Sequence, residues 1–380
     1  MHPRIPSLLA LVAVIVILFI LLPHSPVNPT KYICSSNFLS DTLIGHRVAP
    51  DVAPAHDNVV IYMLAQPHRF DQAAVTLRSI ENSFNRRLKY PYVVFMSEDE
   101  LGQVTDEMRG RVDGITDGKV TFATLRKEEW DVPEHLDKSR VEESLRTIGF
   151  SMGYRSMCRF NSGLFYRHPA LAKYDWIWRI DSDIEFHCDV NFDPIQRMID
   201  AKALYGFIQI ARDYTFVQPT LVETVSRFVA NHSDMIPLDA NLGFGWKSPR
   251  SVQKLLEGHA TNEDWIMSIM YNNFEISHRS VWESELYAKF FDYLDEAGGF
   301  FYERWGDAPV HSLGISMLLK KDQVMHFSNE MGYQHPANSG WSYGCARSSP
   351  LCTCNKAGRS NFNYRQNEWF KAPEYDRSGT

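Results

Sequence analysis

The order of apolar and polar positions divides the chain into segments of different character. Residues 5–22, "IPSLLALVAVIVILFILL", are almost wholly apolar and carry no charge. As a helix rising 1.5 Å per residue, that run reaches roughly 27 Å, enough for a thin bilayer. It is longer than the ~7–15-residue core of a cleaved leader, and no small-residue cleavage site follows it cleanly. It is expected to be a transmembrane signal anchor behind a tail of residues 1–4. The shortness of that tail favours a cytosolic N-terminus and a luminal body. Residues 23–56, with "PHSPVNPT" and "VAPDVAPAHD", read as a stem.

From residue 57 onward the pattern is that of a folded body, 57–380. "VVIYML" from Val59 is a buried strand. After Pro67, the spacing of Ala74, Leu77, Ile80 and Phe84 predicts a helix with one apolar face. "YVVFM" (92–96) is a second strand, "SEDE" opens a helix with acids at its start, and "KVTFATL" near 120 is a third strand. Strands alternating with helices predict an α/β fold on a mostly parallel sheet. In such sheets ligands bind beyond the carboxyl ends of the strands. "WIWRIDSDIEF" (176–186) is the notable case: a buried strand that ends in Asp181 and Asp183. Carboxylates at a core strand's tip cost several kcal/mol unless water or a cation compensates them.

Composition narrows the partners. With 39 basic and 46 acidic residues the net charge is −7, and no long run of one sign occurs, so no nucleic-acid role is expected. Aromatics make up 13% of the chain, enough for a rich core or a sugar-binding cleft. The sequon Asn231-His232-Ser233 and six cysteines, all beyond residue 22, agree with a luminal body. Cys345, Cys352 and Cys354 crowd the tail, so a bridge from Cys34 in the stem to that tail is expected, with zinc at Cys352 and Cys354 the alternative.

Four constellations could carry chemistry. Asp181 and Asp183, two residues apart, can share a divalent ion, and carboxylate oxygens suit Mg²⁺ or Mn²⁺. An exposed strand-end pair is the plainer alternative. Glu275 in "NNFEI" lies between Phe274 and Ile276, either half-buried or facing outward. In "GGFFYERWGDAPVHS" (298–312), Asp307 before Ala-Pro has the form of a helix N-cap, and His311 falls one turn in as a structural histidine. His335 precedes Pro336 in "GYQHP", where it could complete a metal site from across the cleft.

Taken in order, "YRSMCRFNSGLFYRHP" (154–169), "WRIDSDIEFHCDV" (178–190), "NNFEI" (272–276), "GGFFYERWGDAPVHS" and "GYQHP" (332–336) resemble the fungal Golgi α-1,2-mannosyltransferases of glycosyltransferase family 15. The resemblance covers roughly residues 57–340. It implies a nucleotide-sugar transferase fold (GT-A-like) with a single large mixed sheet flanked by helices. It implies Mn²⁺-dependent, retaining transfer of mannose from GDP-mannose to a mannose 2-hydroxyl on a glycoprotein glycan, in protein glycosylation and cell-wall mannan synthesis. It also implies a type II protein of the Golgi membrane. The site residues it implies are Asp181, Asp183 and His335 for the metal, and Asp181, Asp183, Arg159 and Tyr302 for the donor. Glu275 matches the acid proposed as nucleophile, Asp307 an acid in the cleft, and Tyr154 a tyrosine near sugar and acceptor. The family's usual Glu-Pro-Asp is Asp-Ser-Asp here, and residues 240–270 depart from the pattern. Transfer from another nucleotide sugar, or glycan binding without catalysis, are the competing expectations.

Overall fold

The computed structural model describes residues 56–327, 330–336, 342, 343, 351–353 and 369. The expected anchor, the stem and Cys34 lie outside them. Among the described residues no helix is long and apolar enough to cross a membrane.

Seven strands form the main sheet: β1 (Val59–Leu64), β2 (Tyr92–Met96), β3 (Val120–Thr124), β4 (Trp176–Ile180), β6 (Tyr205–Phe207), β9 (Phe274–His278) and β10 (Val324–His326), in the order β10-β6-β9-β4-β1-β2-β3. β9 runs antiparallel to both β4 and β6, while the other neighbours are parallel. The sheet is therefore mixed, as the resemblance implies. Two small sheets accompany it. One pairs β7 (Ile210–Arg212) with β8 (Ser268–Met270); the other orders β12 (Ser342–Tyr343), β11 (Tyr333–Gln334) and β5 (Glu185–Phe186).

Central strands read as continuous apolar runs because both faces are covered. On β1, Val60 and Tyr62 join one core with Phe95, Phe160 and Trp282. Val59, Ile61 and Met63 point the other way, into a second core with Leu77, Trp178 and Phe274. Helix α1 (Phe70–Ile80) gives the second core Leu77 and Ile80, and its end continues into a wider turn over 81–85 that carries Phe84. The opposite face is covered by α2 (Lys138–Thr147), α3 (Met152–Arg159), α4 (Leu221–Asn231), α5 (Glu285–Ala297) and α6 (Asp307–Leu318). Ser97 caps the "SEDE" turn with a reciprocal Glu100 bond, which accounts for the acid-rich start.

Cys352 is bridged to Cys188 in the body, so it is not a zinc ligand. Asn231 is exposed at the end of α4.

Candidate active site

The site grows from the carboxyl end of β4. The strand's last backbone pairing leads into Asp181, whose N–H donates to the Asn273 carbonyl at 2.9 Å. The Thr76 hydroxyl on α1 donates to the Ser182 carbonyl at 2.9 Å and so fixes the turn that separates the two acids. The chain then re-enters a sheet as β5. Antiparallel pairing of β5 with β11 sets Gln334 opposite Glu185 and carries the next residue, His335, to the acids. His335 Nε2 lies 3.0 Å from Asp183 Oδ1, and its Nδ1 is 3.3 Å from the Tyr271 hydroxyl. One ligand atom from each of Asp181, Asp183 and His335 fits within a 4.8 Å span. A strand-end pair and a histidine 152 positions further on thus converge through sheet register.

Two arginines set the charge of this end. Arg69 Nη2 is 3.3 Å from Asp183 Oδ2. Burial raises the Asp183 carboxyl, but His335 and Arg69 outweigh it, so it sits below the usual carboxylate range. Arg179, buried inside β4, donates through Nε and Nη2 to Asp181 Oδ1 at 3.2 and 3.0 Å. Its Nη1 pairs with Asp307 Oδ2. Burial pushes the Asp181 carboxyl up against the pull of Arg179, whereas at Asp307 the guanidinium overcomes burial and holds the acid below its ordinary value.

Asp307 is not a cap. It is the first helical residue of α6, Gly306 occupies the cap position, and the carboxylate bonds Arg179 and the Asn272 amide (3.0 Å) instead. The helix N-terminus further favours its charge. His311, one turn on, is fully buried as expected, with Nδ1 2.7 Å from Glu275 Oε2. Glu275 sits on β9 opposite Arg179, its Oε2 also accepting from the Tyr205 hydroxyl at 2.8 Å. It is 1% exposed and does not line the cleft, so of Glu275 and Asp307 it is Asp307 that faces the cleft.

These groups line one cleft of about 1100 Å³. Asp181, Asp183 and His335 line it, and so do Tyr154, Arg304 and Asp213. Arg304 is pinned by Asp213 at 2.9 Å and reaches the Tyr154 hydroxyl at 3.4 Å. Two residues expected at the donor are not brought here. Arg159 makes a two-pronged bond to Asp295 (2.7 and 2.9 Å) that ties α3 to α5. The Tyr302 hydroxyl accepts from the Asp137 N–H at 2.8 Å, and its ring lies under Arg140. Neither lines the cleft.

Sequence reasoning passed over Arg179, Arg69 and Asn272, and it noted Arg304 only as one charge in the run 298–312, without a role. Only Arg179 left a trace of its role: an arginine inside an apolar strand, two positions before an acid, calls for a buried partner.

Over residues 41–372 the chain matches the family described as glycolipid 2-alpha-mannosyltransferase. It is 32% identical over 317 residues to glycolipid 2-alpha-mannosyltransferase 2 of Candida albicans, covering 80% of this chain and 64% of that protein. It is 36% identical over 269 residues to the alpha-1,2 mannosyltransferase KTR1 of Saccharomyces cerevisiae, covering 69% of this chain and 64% of that one. In both cases less than two thirds of the relative is spanned. The core-mannan synthase A of Aspergillus fumigatus, solved in an Mn/GDP form, superposes with a TM-score of 0.73 at 28% identity, over 86% of this chain and 88% of that chain.

Proposed function

Because this chain belongs to the glycolipid 2-alpha-mannosyltransferase family, we propose that it is an α-1,2-mannosyltransferase. It moves mannose from GDP-mannose, with retention at the anomeric carbon, to the 2-hydroxyl of a mannose on a glycoprotein glycan. The observation that carries this reading is the convergence of Asp181, Asp183 and His335 at the mouth of β4. Two carboxylates and one imidazole form a donor set that suits Mn²⁺, and the solved Mn/GDP form of a relative supports the same choice. When bound, the ion supplies positive charge to a diphosphate leaving group.

The chain's own residues do the rest. Arg69 and His335 keep Asp183 ionised, ready to act as a ligand. Arg179 joins the metal end to the acid end, because it holds Asp181 and Asp307 at once. It keeps Asp307 ionised at neutral pH, so that acid can take the proton of an attacking hydroxyl or stabilise positive charge building on the sugar. Glu275 acts by fixing His311 beside Asn272, which in turn donates to Asp307. The same reading takes residues 5–22 as an anchor in the Golgi membrane with the body in the lumen. The Cys188–Cys352 bridge and the exposed sequon Asn231 support an oxidising compartment.

The test is direct. The full chain with Mn²⁺, GDP-mannose and methyl α-mannoside should yield GDP and an α-1,2-linked methyl mannobioside, read by NMR. Release of GDP without the disaccharide, or no dependence on Mn²⁺, would refute it.

A further inference from the structure

Among the described residues the exposed large apolar side chains include only three aromatics: Phe150 (47% exposed), Tyr214 (65%) and Phe216 (65%). Two of them line the same cleft, and the third lies beside one of these. Phe150 and Tyr214 line the cleft, and the Phe216 ring lies 5.7 Å from that of Tyr214. The Tyr154 ring is 5.2 Å from Phe150, and the Arg304 guanidinium lies 4.8 Å over the Phe150 ring. Aromatics exposed at scattered points need no explanation; gathered together at a cleft they mark a binding surface.

The backbone holds them there at a cost. Gly149 and Phe150 are consecutive left-handed residues, with φ of 81° and 63°. For a bulky residue such as phenylalanine that conformation is unfavourable and persists only where neighbours enforce it. The enforcing contact is the buried Arg155, which donates to the Gly149 carbonyl at 2.8 Å. The loop carrying Tyr214 and Phe216 is fixed at both ends. Asp213 is paired with Arg304, and the Arg304 N–H donates to the carbonyl of buried Val217 at 2.8 Å. Rigid, exposed aromatics beside polar side chains suit a ligand with alternating apolar and hydroxyl faces. A pyranose ring is such a ligand, and the patch is continuous with the cleft in which the transferred sugar is proposed to sit.

We propose that Phe150, Tyr214 and Phe216 form a platform on which rings of the acceptor glycan stack beyond the mannose that receives the new bond. The platform makes the chain prefer oligosaccharide acceptors over a single sugar. This rests on the proposed mannosyl transfer, and deepens it by giving the acceptor a second point of attachment.

The experiment compares methyl α-mannoside with α-1,2-linked mannotriose on the full chain with Mn²⁺ and GDP. Binding is read by saturation-transfer NMR and titration, and transfer by initial rates. In the wild type the trisaccharide should bind more tightly, and its aromatic-ring saturation should fall on the second and third sugars. Tyr214→Ala and Phe216→Ala should each raise the KM and the dissociation constant for mannotriose about threefold to tenfold, the size of a stacking contact. Their values for methyl α-mannoside should stay within about twofold, and Phe216→Tyr should restore the trisaccharide affinity. Both side chains are exposed, so loss of folding does not confound the result, and melting temperatures check it. Equal losses for one sugar and three, or unchanged mannotriose affinity, would overturn the platform, as would variants whose only effect is on self-association. A chain that binds mannotriose through these rings yet transfers no mannose would overturn the proposed function and leave the platform standing.

Discussion

Arg179→Met removes the link between the two ends of the site and nothing else of similar volume. The guanidinium side chain is 4% exposed, and its partners Asp307 and Asp181 are 8% and 33% exposed. The two contacts therefore carry different weight. Asp181 can turn toward water, and losing its bond should cost at most about 1 kcal/mol. Asp307 cannot, and leaving a buried carboxylate without its cation typically costs about 3–5 kcal/mol. At roughly 2 °C per kcal/mol for a body of this size, the melting temperature should fall by roughly 6–10 °C at pH 7. The pH dependence supplies a second check. In the wild type Asp307 is held below its ordinary value, so its contribution is present above the carboxylate range and is lost only as pH falls through that lowered value. Without Arg179, the strongest opposition to burial is gone and the group rises, with Asn272, His311 and the helix N-terminus left to restrain it. The deficit of the variant should then be larger at pH 7 than at pH 5, because the raised carboxyl takes up its proton as pH falls. Adding Asp307→Asn should recover about 2 kcal/mol relative to the sum of the single effects. Differential scanning fluorimetry at the two pH values measures all three quantities. A fall under about 2 °C, the same fall at pH 5 and pH 7, or strict additivity would refute the idea that Arg179 neutralises a buried acid.

The other expectations concern chemistry and covalent support. His335→Ala and Asp183→Ala should each weaken Mn²⁺ binding in the presence of GDP by at least the roughly 10–100-fold that loss of a residue behind a ligand costs, read by calorimetry, and an unchanged titration would remove either from the ligand set. Asp307→Asn should lower kcat by about 10²–10⁴ while GDP still binds, because an amide cannot take a proton. Glu275→Gln keeps the hydrogen-bonding shape and should cost only about tenfold; a loss as large as that of Asp307→Asn, in a protein of unchanged melting temperature, would transfer the role of sugar-facing carboxylate to Glu275. Cleaving the Cys188–Cys352 bridge, which spans 164 positions, should lower stability by about 2–5 kcal/mol, and identical unfolding curves with and without a reductant would contradict that.

Much of this arrangement was legible because it is local. The strands at Val59, Tyr92, near 120 and at Trp176 follow from apolar runs bounded by breakers, and all four occur where the pattern puts them. Asp181 and Asp183 sit at a strand exit, where sheet geometry leads ligands to be sought. Two things escaped for the same physical reason: they depend on what a residue meets far along the chain. β9 enters the sheet antiparallel between β4 and β6, and no period within "NNFEISH" encodes that direction. Asp307 carries the local signature of a cap, yet its carboxylate goes to an arginine 128 positions earlier. A cap and an ion pair compete for the same oxygens, and a buried guanidinium offers the stronger, charge-assisted bond. Arg159 and Tyr302 err the other way. Their neighbours in sequence resemble a donor site, but Asp295 and the Asp137 N–H lie within reach and engage them first. The shorter acid at position 181 belongs to this argument as well. With one methylene fewer than glutamate it reaches less far into the cleft, and Arg179 fixes one of its oxygens from within the strand. That pairing compensates reach with rigidity, and it ties the metal-facing acid to Asp307 through a single guanidinium. A change at any of the three must therefore disturb the other two.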